Sequence, residues 1–122
     1  MNHQIIDDRD TALSPEDFAV LRENLREQLL FRREQLQQLS DAATRADTFL
    51  DRRTAAQMEV RVKLAASAGM VLTDVEAALA RMDQGHYGVC HLCRRPMARE
   101  RLMIVPQARY CGRCQHVREA RR

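Results

Sequence analysis

"LSPEDFAVLRENLREQLLFRREQLQQL", residues 13–39, decides the architecture of this chain. Ser14 can cap a helix, Pro15 suits the first helical position, and Glu16 and Asp17 favour the positive end of the helix dipole. From there Phe18, Leu21, Leu25, Leu29, Leu36 and Leu39 recur at spacings of three, four and seven, with Arg32 in the gap and no Gly or Pro to interrupt. A helix from Pro15 to about Ala46, at about 1.5 Å per residue, is a rod on the order of 45 Å, too long for a compact domain of this size. A second stripe runs through Met58, Val62, Ala65, Gly69, Leu72, Val75, Leu79 and Met82, and it should stop where "DQGHYG", residues 83–88, supplies Gly85 and Gly88. Two long helices with single apolar seams cover each other most simply as an antiparallel coiled-coil hairpin, with its tip near residues 44–53. Within the small-residue run 65–69, Gly69 asks for a packing reason, because glycine weakens a helix interior.

Composition agrees with an elongated molecule. The chain has 122 residues, 30% of them charged and 4% aromatic, which leaves little for a large core. Three segments are expected: 1–14 as a flexible lead, 15–84 as the hairpin, and 85–122 as a small module ending in a short helix. Residues 1–84 hold 11 Lys/Arg against 15 Asp/Glu, a net of −4, and residues 85–122 hold 9 Arg against 2 Glu, a net of +7. A basic end of this kind suits an acidic or polyanionic partner, and equally a solvated tail. No run of eighteen apolar residues exists and the start "MNHQIIDDRD" is polar and acidic, so neither a membrane span nor a secretory signal is readable and a cytoplasmic location is expected. Such a compartment keeps thiols reduced and turns attention to metal or redox chemistry for the cysteines.

There are four cysteines, Cys90, Cys93, Cys111 and Cys114, in the pattern C-x2-C-x17-C-x2-C. Each C-x2-C pair can wrap a tight knuckle around one ion, and two pairs complete the tetrahedral thiolate shell of a closed structural zinc site. Four sulfurs leave no open position for water, which argues against hydrolytic chemistry at the metal. An iron–sulfur centre also accepts four cysteines, and a dithiol redox pair is the other alternative, although no βαβ pattern surrounds this one. Arg94, Arg95 and Arg113 beside the ligands would favour the thiolate forms, and His86, His91 and His116 read as neighbours of the site rather than ligands. So small a module should draw most of its folding energy from the metal.

The run "YGVCHLCRRPMARERLMIVPQARYCGRC", residues 87–114, followed by a basic tail, resembles the four-cysteine zinc finger of the DksA/TraR family of bacterial transcription factors. The match includes Tyr87 and Gly88 before the first knuckle, the seventeen-residue interval, Arg101-Leu102 and Pro106, and the helical hairpin fits the same family. The resemblance implies an all-α protein, a long antiparallel coiled-coil hairpin followed by a small C4 zinc-finger module with one structural zinc and a short C-terminal helix. It also implies a regulator, not an enzyme, that binds RNA polymerase. In the family the hairpin enters the secondary channel, its acidic tip approaches the catalytic centre, and open promoter complexes are destabilised, often with the alarmone ppGpp in the stringent response.

The tip residues implied are Asp47, Asp51 and Arg52, within "ADTFLDRRT". The family pattern has two aspartates three apart, then arginine and alanine. Here the aspartates are four apart, Asp51 stands one residue off the family spacing from Cys90, and Arg53 takes the alanine slot. The family's basic alarmone positions fall near Ser67, Asp74 and Gln115, none of them cationic, so ppGpp dependence at that site is expected to be reduced or absent. A monomer is expected, with no membrane association and no sequence-specific DNA binding. The alternative from another class is a zinc-ribbon nucleic-acid-binding module with a coiled-coil dimerisation arm, favoured by the nine arginines and disfavoured by the scarcity of aromatics for base stacking.

Overall fold

Ser14 and Asp17 cap each other at the start of the first helix: the Asp17 N–H donates to Ser14 Oγ and the Ser14 N–H to Asp17 Oδ2, both at 3.0 Å. This reciprocal box satisfies two donors that a helix start leaves open and lets Pro15 occupy a position that needs no N–H partner. The computed structural model describes residues 13–46 and 52–121. Among them are four helices and no strand: α1, Pro15–Ala46; α2, Arg52–Gln84; α3, Arg99–Ile104; and α4, Gly112–Ala120. The 32 and 33 residues of α1 and α2 correspond to rods of about 50 Å that pack against each other as the hairpin. Residues 47–51, which join them, lie outside the described residues, and so do the side chains at 45, 46 and 52–54.

α2 stops for a backbone reason. Gly85 sits at φ +78°, its N–H donates to the Met82 carbonyl (3.3 Å), and the His86 N–H donates to the Arg81 carbonyl (2.9 Å). These are the two bonds of a Schellman cap, and the left-handed residue that makes it is one that glycine fills at no steric cost.

The seam on α1 follows the sequence stripe. Leu21 and Leu25 are fully buried, with Phe18 and Leu29 packed beside them. On α2 the buried residues are Ala68, Val75, Ala78 and Met82, and this corrects two expectations. Val62 is 67% exposed, and at Gly69 an added Cβ would meet nothing within 4 Å, so the close approach belongs to Ala68, 1% exposed. In "AASAG", residues 65–69, no large apolar residue marks the phase, so a 3–4 spacing fits equally well one residue earlier. Ion pairs Arg22–Asp83 (3.2 Å) and Arg33–Glu76 (3.4 Å) bridge the helices on exposed surface, where such pairs stabilise little. None of the described helices is long and apolar enough to cross a membrane.

The hairpin core does not end with the hairpin. Leu21, Leu25, Val75, Ala78 and Met82 form one cluster with Tyr87, Cys90, Met97, Leu102 and Ala108, so the cysteine-bearing segment is packed on the open end of the coiled coil.

Candidate metal centre

The first C-x2-C pair lies in a tight turn. The Arg94 N–H donates to the Cys90 carbonyl (3.0 Å), the Cys90 N–H to the Arg95 carbonyl (2.9 Å), and the Met97 N–H to the Gly88 carbonyl (2.7 Å), closing a short antiparallel bridge between Val89 and Pro96. The turn forces Arg94 to φ +64°, the only positive φ at a non-glycine residue among those described. The second pair is built differently. Cys111 is the N-cap of α4, its sulfur accepting from the Cys114 N–H at 3.4 Å, so the positive end of the helix dipole faces the cluster.

The four sulfurs of Cys90, Cys93, Cys111 and Cys114 lie within 4.8 Å of one another, and Cys93 Sγ is 3.9 Å from Cys111 Sγ. A tetrahedron with Zn–S bonds of about 2.3 Å has edges of about 3.8 Å, so the donors stand where a zinc ion needs them. Their protonation makes the same point. Burial pushes the Cys90 thiol up, but N–H groups of Cys93, Cys111 and Leu92 outweigh it and bring Cys90 down to about 6. Contact with the Cys111 thiol, then burial and the other two sulfurs, push Cys114 up to about 12. Four neighbouring thiols cannot all ionise unless a cation balances them, and a divalent ion resolves that conflict. The cysteines hold one structural zinc, and no histidine or carboxylate joins their group among the described residues.

Around the cluster, polar and aromatic contacts fasten the module to the hairpin. Tyr87 is edge-on to Phe18 (5.8 Å between ring centres), and its hydroxyl donates to the Pro106 carbonyl at 2.8 Å; burial pushes its pKa up to about 12. Arg99 grips Asp17 with two bonds of 2.9 and 3.0 Å, and this guanidinium, helped by the Ser14 N–H, holds the Asp17 carboxyl down at about 2. Arg109 pairs with Asp74 on α2 at 2.7 Å, and Arg81 donates to the Ala108 carbonyl at 3.4 Å. Sequence reasoning missed these links. Asp17 was legible only as a helix-start acid, and Asp74 only as a position lacking a cation. His91, against the Tyr110 ring, has its pKa lowered by burial and by the charges of Arg81, Arg109 and Arg94. Asp47 and Asp51 lie outside the described residues; Arg52 opens α2, with its side chain outside them.

Residues 85–120 match the family model for the prokaryotic dksA/traR C4-type zinc finger. The C-terminal module thus matches a DksA/TraR-type zinc finger. An uncharacterized protein of Aquifex aeolicus (strain VF5) is 35% identical to this chain over 43 residues, which are 35% of this chain and 30% of that protein. The match therefore spans less than a third of that relative's length. The fold as a whole is similar to that of the transcription factor DksA2 from Pseudomonas aeruginosa, with a TM-score of 0.76 over 88% of this chain and 87% of that one, at 20% identity. The segment that matches the finger model is thus joined here to a hairpin with the same fold as that structure.

Proposed function

We propose that this chain is a DksA-like transcription regulator that binds RNA polymerase and passes its hairpin through the secondary channel to modulate promoter open complexes. The observation that carries this reading is the combination of a DksA/TraR finger with a hairpin of about 50 Å fixed to it by a shared core, Tyr87–Phe18 and Asp17–Arg99. A probe reaching into a deep channel needs such a stiff joint at its base. In this reading residues 15–84 are the arm, 85–122 are the docking module, and Asp47, Asp51 and Arg52 act near the catalytic magnesium by charge, without a reaction of their own. The protein works in the cytoplasm as a monomer. Regulation by ppGpp at the family's site is weak or absent, because Asp74 there is a carboxylate that holds Arg109.

The zinc-ribbon nucleic-acid alternative loses support from the use made of the arginines. Arg99 and Arg109 are paired with carboxylates, Arg101 donates to the Tyr110 carbonyl, and Arg118 lies over the Tyr110 ring. Multi-round transcription from a ribosomal RNA promoter tests the proposal, comparing wild type with Asp51→Asn, with and without ppGpp. A change in transcript yield that Asp51→Asn abolishes while still binding polymerase supports it. Unchanged yield and no polymerase binding by wild type refute it.

A further inference from the structure

Between the last turn of α2 and the first cysteine turn lies a cleft of about 430 Å³, lined by Arg81, Gln84, His86, Val89, His91 and Arg94. The nearby acids are already engaged, Asp74 by Arg109 and Asp83 by Arg22. Neither Arg81 nor Arg94 belongs to an ion pair among the described residues. Arg81 spends one nitrogen on the Ala108 carbonyl, and its Nε is shielded from solvent with no partner. Arg94 occupies a left-handed position where glycine would sit without strain, and it lines the cleft.

We propose that this cleft binds phosphate oxyanions, with Arg81 and Arg94 as the charged donors from its two sides and the His86 and His91 rings as N–H donors. A phosphate group offers enough acceptor oxygens for two planar guanidinium forks at once, and arginine suits it for that reason. None of Ser67, Asp74 and Gln115, where the family resemblance puts the alarmone, lines this cleft, and the proposal does not depend on polymerase binding.

The test titrates the zinc-loaded full chain with inorganic phosphate and with ADP, read by calorimetry and by amide NMR, beside Arg94→Gly. Saturable binding is expected, with shifts at Arg81, His86, His91 and Arg94. Arg94→Gly should weaken it about tenfold or more while keeping zinc content and holding or raising the melting temperature, since the substitution relaxes the backbone. That variant separates lost recognition from lost folding. A short random DNA duplex, titrated in parallel, assigns the source: equal sensitivity to Arg94→Gly points to nucleic-acid phosphate, and sensitivity of ADP alone to a free nucleotide. Unchanged affinity in Arg94→Gly, shifts confined to the Arg95 and Arg113 side, or no saturable binding of either phosphate probe overturns the proposal.

Discussion

Gly69→Ala distinguishes the two possible registers of α2 by the sign of its effect. With Gly69 in the seam, as the apolar stripe suggests, an added methyl would meet α1 and destabilise the hairpin. In the structure its Cβ would enter open space, and the Thr73 hydroxyl bond to the Gly69 carbonyl (2.9 Å) involves only backbone at position 69. Replacing a mid-helix glycine by alanine then reduces the entropy of the unfolded chain and stabilises by about 0.5–1 kcal/mol. For a chain of this size that is a rise of roughly 2–6 °C in Tm. Ala68→Leu should act in the opposite direction, because a seam residue with 1% exposure has no room for three more carbons, and overpacking costs about 1–3 kcal/mol. Thermal unfolding of the zinc-loaded protein, followed by circular dichroism at 222 nm, reads both. A destabilised Gly69→Ala or a neutral Ala68→Leu would refute this register.

Tyr87→Phe keeps the edge contact with Phe18 but leaves the buried Pro106 carbonyl without its donor, and urea unfolding should show a loss of about 1–3 kcal/mol. The same hydroxyl sets an alkaline limit. Its pKa rises from 10.0 to about 12 on folding, so the stabilisation is complete below about 10 and is lost as pH climbs through 12, and Tyr87→Phe should lack that component of the pH profile. Chelating the zinc at neutral pH should unfold the module but spare most of the hairpin, since α3 and α4 supply 15 helical residues against 65 in α1 and α2. The 222 nm signal should then fall by no more than about a fifth, while Tm drops because the core is shared. Arg32→Leu, at a seam position where Nε is shielded and unpartnered, should stabilise by about 1 kcal/mol in the same unfolding assay.

The hairpin was legible because its signals are local and repeated: the Ser14-Pro15 helix start, the leucine spacing of α1 and the Gly85 stop each act within a turn or two. The four cysteines were legible because the spacing itself is the chemistry. The phase of α2 between residues 58 and 69 was not, since alanine, serine and glycine give the seam no contrast there. Nor was the joint between module and hairpin. Asp17 and Arg99 are separated by 82 positions and Asp74 and Arg109 by 35, and no local pattern announces which of many arginines and acids will meet. Those long-range pairs, with the core the two parts share, join the recognisable pieces.

Insertion of the hairpin into polymerase is tested most directly by placing a photo-reactive phenylalanine derivative at position 49, between Asp47 and Asp51, and irradiating the zinc-loaded protein with RNA polymerase. Saturable cross-linking to polymerase segments lining the secondary channel and catalytic centre, reduced by excess wild-type protein, is expected. No saturable cross-link, or one only to polymerase surfaces remote from the channel, would contradict it.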